Sequence, residues 1–506
     1  MHEFENALPQ EGLGKCAQNS GKYGDALPRD RRFLLFTALF CVLMADTLLW
    51  HGPTASLTVL TAGWFCLLLA YLGPAGLAAR SGQVLLFFCL FLALTFALGS
   101  NWYFRVWNYL ALLALLPVQA IGLSGAAQLP WYRPAMLWER LCLLLWGMLG
   151  HAGAAFSVLS AGKTSAGRRT GALVLGLAGA GILVAILLPV LASADALFAA
   201  ATAELRAWAA AHFSTALWKI AVGLLLTPFF FGFLYLLRHP VPLKYGLKST
   251  RAGDALVPAV ILAALDLLYL LFLSVQSAGL FGGPAYLAAR GLSYADWARS
   301  GFFQMAGVTA LNLTVLLAAL TFPRRDGRAW RMTRLLAGAL VAESCVLLAS
   351  AAWRITLYVS AYGLSFKRLM TYWGMGMMAL FFLAALGKVL RPDLRFCRIA
   401  FPLALAGWLV INCVPADYLV ARNQVDRYLN GESPSIDAEY LLYGLSYDTL
   451  SQLDRLDGSL ICRDTATGGQ ARLDTLIQRR RAEARAECAD WHTWSLSACL
   501  AAMEGG

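Results

Sequence analysis

Apolar residues fall in long runs along this chain, each close to the ~20 positions a helix needs to cross a bilayer. The runs lie near 33–50, 55–73, 83–99, 105–122, 137–159, 171–192, 214–237, 255–274, 302–322, 334–358, 368–388 and 397–413. Membrane strands would be shorter and would alternate apolar with polar positions. The pattern therefore predicts an all-α, polytopic integral membrane helical bundle with 11–12 transmembrane helices. Residues 1–31 are polar and are expected to form a disordered cytoplasmic tail. Residues 32–413 form the transmembrane domain. Residues 414–506 form a small polar, helical, extracytoplasmic tail. Between 193 and 213, charge lies on one side and Phe198, Leu205 and Trp208 on another, which suits a helix lying in the membrane interface.

Composition agrees. Hydrophobic residues make up 59% of the 506 positions and charged ones 14%, where a soluble chain carries about 25% charge. Mean hydropathy is +0.61. The net charge of +12 reads as basic cytoplasmic loops rather than as a nucleic-acid surface. The loop "PRRDGRAWRMTR" carries five arginines against one aspartate, and "KVLRPDLRFCR" and "RHPVPLKYGLKSTRAGD" each carry four basic residues against one acid. They alternate with less basic loops at 193–213, 275–300 and 359–367. The basic loops are expected inside and the tail outside. The basic stretches at 28–32 and 160–169 are separated by five runs, so both cannot be inside if all five cross. The segment 137–159, with its Glu139–Arg140 pair and His151, is the one expected to lie in the interface or re-enter, giving eleven crossings. Twelve crossings with the N-terminus outside is the alternative.

Most of the eleven cysteines sit inside apolar runs and read as small hydrophobes. Cys462, Cys488 and Cys499 would face an oxidising space, which leaves one disulfide open among three partners. There is no metal-binding spacing, so no metal and no cofactor is expected. "SVLSAGKTS" lacks the first glycine of a phosphate loop, and "GLAGAG" lies within a span, where small residues allow close helix contact. Asn312 of "NLT" also lies within a span. No catalytic residues are assigned.

Ionisable residues inside the runs carry more information, because such groups are costly in lipid and face a cavity, a partner or the interface. They are Asp46, Lys219, Asp266, Glu343 and Arg354. At ~1.5 Å per residue, Asp266 and Glu343 come out near mid-bilayer and Lys219 and Arg354 near the outer boundary. Arg354, Tyr358 and Tyr362 share a helix face. They read either as headgroup anchors or, with Arg105, Lys219 and Arg299, as a pocket for an anionic headgroup or solute. Asp266 and Glu343 read either as neutral acids bonded to Asn312 or Ser344, or as proton carriers.

Several blocks occur in the order of a known family: "LLPVLASADALF" (187–198), "FLSVQSAGLFGG" (272–283), "YADWARSGFF" (294–303), "WRITLYVSAYGLSFKR" (353–368) and "ARNQVDRYLN…IDAEYLLYGLSYD". Over about 187–450 the chain resembles the bacterial membrane-protein family "domain of unknown function 4173", related to 4153. The resemblance implies a multi-span inner-membrane protein and no assigned reaction. Asp195, Tyr294, Arg299, Gly301, Phe302, Arg354, Tyr358, Tyr362 and Gly363 match the family's blocks, while Trp297, Ser300 and Gln304 depart from them. Two functional readings follow: a transporter-like bundle handling a small solute or lipid, or a scaffold presenting residues 414–506 to a protein partner. An enzyme acting on a lipid-linked substrate is a third, weaker reading.

Overall fold

The computed structural model describes residues 28–73, 80–133, 135–160, 187–212, 214–239, 253–280, 302–464 and 468–504, with isolated positions at 176, 180, 181, 183, 184, 289 and 291. The bundle comprises α1 (Pro28–Ala45, continued by a π-turn at Asp46–His51), α2 (Ser56–Leu72), α3 (Arg80–Leu98), α4 (Trp102–Ser124) and α5 (Met136–Leu145, with a π-turn at Trp146–Gly150). It continues through α6 (Gly153–Ser160), α7 (Ala196–His212), α8 (Thr215–Arg238), α9 (Leu256–Leu280), α10 (Phe302–Thr321), α11 (Gly327–Tyr362), α12 (Phe366–Leu390) and α13 (Phe396–Cys413).

Among the described residues, seven helices are long and apolar enough to cross a membrane. The pair Met136–Gly150 and Gly153–Leu159 makes an eighth if taken as one span, bent by 40°. Ser56–Leu72, Gly82–Leu98 and Gly307–Thr321 are shorter apolar helices. At 1.5 Å per residue α2 reaches about 26 Å and the full lengths of α3 and α10 about 28–30 Å, close to a ~30 Å hydrocarbon core. Eleven or twelve crossings are expected from the sequence; the described residues hold seven or eight helices that pass for length and apolarity, with α2, α3 and α10 as further apolar helices, and half of the segment 171–192 lies outside the described residues. The bend at His151 gives 137–159 the broken shape its weak apolar pattern suggests. Many large side chains on the bundle are exposed, among them Leu35, Phe36, Phe87, Leu267 and Leu383, as a lipid-facing surface requires.

Two apolar cores divide the bundle. The first joins α1 to α4 with α5 and α8 around Tyr71, Phe96, Leu68 and Leu234. The second joins α9 to α12 around Leu262, Leu316, Leu340 and Phe382. Helices α1 and α8 approach closely because Gly223 faces Val42: a Cβ there would lie 2.5 Å from the Val42 Cα. Small residues serve this purpose between membrane helices.

The bundle has two distinct ends. At one, Arg238 pairs with Asp30 at 3.6 Å and Arg325 with Asp393 at 2.6 Å. Arg334 donates to the Val389 carbonyl at 3.0 Å, and Arg395 donates to the Tyr132 hydroxyl. The basic stretches 323–334 and 388–398 gather here, with the start of α1; most of 238–254 lies outside the described residues. The opposite end carries residues 416–504, which form a module with its own core.

That module comprises α14 (Ala416–Leu429), α15 (Ala438–Tyr443), a 3-10 turn (Tyr447–Thr449), α16 (Leu450–Leu453), β1 (Ile461–Arg463), β2 (Gln470–Arg472), α17 (Leu473–Ala489) and α18 (Leu496–Met503). Its buried side chains include Val420, Leu441, Leu442, Leu453, Leu473 and Leu476, with Phe104, Leu364 and Leu369 of the bundle packed against them. Each such Leu contributes ~1.5–3 kcal/mol when buried. The antiparallel β1–β2 hairpin, registered Cys462 to Ala471, is an addition to the purely helical tail the sequence suggested. Gly363, at φ +74, ends α11 as expected for a left-handed glycine. Of the three cysteines left open, Cys488 and Cys499 form the disulfide, with Cα atoms 5.6 Å apart, and Cys462 is free.

Candidate functional site

The bundle meets the module through polar side chains that the folding of α4 sets in place. Asn101 caps α4, accepting from the Phe104 amide at 3.0 Å as N-cap residues do. Its amide then donates to both oxygens of Asp417, at 2.8 and 2.7 Å. The Ser446 amide donates to the same carboxyl at 3.0 Å. Asp417 is buried, and burial pushes its carboxyl above the usual carboxylate range, opposed by the hydrogen bonds from Ser446 and Asn101. Two turns along α4, buried Asn108 donates to Thr95 Oγ1 at 2.8 Å and to Asn412 Oδ1 at 2.7 Å. It accepts from the Trp408 indole at 2.7 Å.

A cavity of about 440 Å³ opens between these groups, lined by Thr95, Asn101, Arg105, Asn108, Asn412 and Asp417, among others. Arg105 donates from Nε to the Gly99 carbonyl at 3.2 Å, and Glu487 and Tyr447 of the module are its electrostatic partners. Its buried Nη2 has no hydrogen-bond acceptor among the described residues. An unsatisfied buried donor is costly, so such an atom points to a bound acceptor. On the module side, Tyr447 donates to Glu487 at 2.7 Å, and Ser497 donates to Asp448 at 2.5 Å.

A second polar group sits at the same end. Lys219 Nζ lies 2.5 Å from Asp46 Oδ1, and His492 Nε2 of the module lies 3.0 Å from Asp46 Oδ2. The His492 carbonyl accepts from the Ser56 amide at 3.1 Å. Sequence reasoning placed Lys219 in an unpaired basic cluster; here it is neutralised by Asp46. Lys219 and Arg105 share no hydrogen-bond or ion-pair partner among the described residues. His492 had no signal in the sequence, because its partner Asp46 lies 446 positions away.

Deep in the second core, α9 and α11 place the buried acids Asp266 and Glu343 near one another. Neither Asp266 oxygen nor Glu343 Oε2 has a hydrogen-bond partner among the described residues. Asn312 and Ser344, considered as their partners, bond instead to each other at 2.9 Å, and Tyr269 donates to Asn312 at 2.7 Å.

Arg354 is half-buried on α11. The rings of Tyr358 and Tyr362 lie 5.1 Å apart. The guanidinium over Tyr358, at 4.1 Å, is that of Arg368, which also donates to the Tyr362 carbonyl at 3.0 Å. Arg299 and Tyr294 lie outside the described residues. A further cavity of about 550 Å³, walled by apolar residues of α1, α6 and α8, has Arg31 at its edge.

A search of curated proteins and a search of solved structures give no match. The sequence profile described as Domain of unknown function (DUF4153) matches residues 85–456, which runs from α3 through the bundle into the first half of the module. On that match, the chain is a multi-pass α-helical membrane protein belonging to the DUF4153 family.

Proposed function

We propose that the protein is transporter-like and handles a small polar solute or a lipid headgroup in the cavity between bundle and module, with Arg105 receiving its anionic group. The observation that carries this reading is that Arg105, whose buried Nη2 has no acceptor among the described residues, lines a cavity large enough for a small molecule. Asn101, Asn108 and Asn412 supply neutral donors and acceptors around it. Asp266 and Glu343, two buried acids near the middle of the bundle, suit coupling to a proton gradient. In this reading the module end faces outward and the N-terminus lies in the cytoplasm of a bacterial inner membrane. Arg354, Tyr358 and Tyr362 anchor to headgroups at the rim, and the likeness to the related family 4173 extends to 187–450.

Native mass spectrometry of protein released from lipid nanodiscs tests it. The wild type is expected to retain a bound small molecule or lipid that Arg105→Gln loses at least ten-fold. Equal retention by both, or a wild type that retains nothing, contradicts the proposal. One observation favours the scaffold reading: Ile461, Leu496, Leu500 and Met503 leave apolar surface exposed on the module. A protein partner lost on deleting 414–506, with no ligand retained by the wild type, is the outcome for that reading.

A further inference from the structure

We propose that Asp46, His51 and His492 form a binding site for a divalent transition metal of the zinc class, which fastens the module to the end of the first span. One ligand atom from each of the three residues lies within 4.8 Å of the others. Two histidines and a carboxylate make a known donor set for such metals, and three protein ligands leave a fourth position for solvent.

The backbone is shaped for this. Asp46 and His51 open and close a π-turn. In a regular α-helix, residues five apart point about 140° away from each other. The i→i+5 turn instead brings the second over the first, and such turns recur at functional sites. His492 arrives from the module on a short segment held to the bundle by the Ser56 amide.

Each of the three residues is oriented by a second group, as metal ligands are. His492 Nδ1 lies 2.9 Å from Asp490 Oδ1, which leaves Nε2 toward Asp46 at 3.0 Å. His51 Nδ1 lies 3.0 Å from the Asp46 carbonyl oxygen, so that nitrogen carries the proton and Nε2 keeps its lone pair. Lys219 takes Asp46 Oδ1 and leaves Oδ2 for the shared centre. The two imidazole rings stack with centroids 3.6 Å apart and planes at 11°. Two protonated rings would repel at that distance, whereas two neutral rings beside one cation would not.

A metal-free alternative has the same contacts. In it His492 is an imidazolium held between Asp490 and Asp46, with Lys219 balancing the charge. Full-length protein purified in detergent, stripped with EDTA and dialysed against Zn²⁺, distinguishes the two by elemental analysis and by the visible absorption of Co²⁺ put in place of zinc. The wild type is expected to take up one equivalent of zinc per chain and to show Co²⁺ bands, both lost in His492→Gln and His51→Gln. Asp490→Asn, which keeps all three ligands, is expected to weaken zinc binding 10- to 100-fold. It decides the matter should the histidine variants fail to fold. A wild type without stoichiometric zinc, uptake unchanged in the histidine variants, or unchanged affinity in Asp490→Asn each overturns the proposal in favour of the imidazolium network.

Discussion

The charged groups of the bundle–module junction and those at the middle of the bundle are built on opposite rules. At the junction every acid described meets a donor or a cation: Asp46 meets Lys219 and His492, and Asp417 meets Asn101 and Ser446. In the second core, Asp266 meets another acid, Glu343. Removing one member of the first kind strands a buried charge or polar group. Removing a charge from the second kind strands no opposite charge. The junction therefore carries stability and fixes the module, while the mid-bundle acids sit without such partners among the described residues.

Neutralising variants test that contrast. The largest effect is expected for Asn101→Ala, which strands the Asp417 oxygens and removes the cap of α4. Unfolding in nanodiscs should show a loss of about 2–3 kcal/mol. A loss below ~0.5 kcal/mol would erase the distinction between the two regions. Lys219→Met comes next, at about 1.5–3 kcal/mol, because Asp46 and Lys219 are only about one-fifth exposed. Its loss should be reduced in an Asp46→Asn background, where there is no charge left to strand.

The pH response of Asp417 gives a smaller effect of determined sign. Its carboxyl is raised above its ordinary 3.8 by burial, so the folded protein binds that proton more tightly than the unfolded chain. Its contribution to stability is full below 3.8 and is lost as pH rises through the raised value. Asp417→Asn should flatten this decline in melts taken from about pH 4 to pH 7. Smallest on stability are Asp266→Asn and Glu343→Gln, each expected within ~1 kcal/mol of wild type, since neither change strands an opposite charge or a hydrogen-bond partner. The same two variants should abolish proton uptake into proteoliposomes driven by a solute gradient. If either is destabilised as strongly as Asn101→Ala, the two regions obey one rule.

Most of the bundle was legible in the sequence because long apolar runs have one physical solution in lipid. Asp266 and Glu343 stood out as acids in apolar runs, but the partners offered for them, Asn312 and Ser344, bond to each other instead. The junction was not legible at all. Asn101 with Asp417 and Asp46 with His492 are pairings across 316 and 446 positions, and neither periodicity nor charge pattern carries information over that range. The π-turn was equally hidden, since one extra residue in a helix turn leaves no mark on composition. A lysine in an apolar run suggested a basic pocket; its acid partner lay in another run, read separately.

The account rests on the module being locked to the bundle by specific polar pairs, and a double-mutant cycle between Asn101 and Asp417 reads this most directly. Unfolding free energies of Asn101→Ala, Asp417→Ala and the double variant, measured in nanodiscs, should give a coupling energy of about 1–3 kcal/mol. Additive losses, with coupling below ~0.3 kcal/mol, would mean that the two side chains do not meet and that the cavity beside them is not built as described.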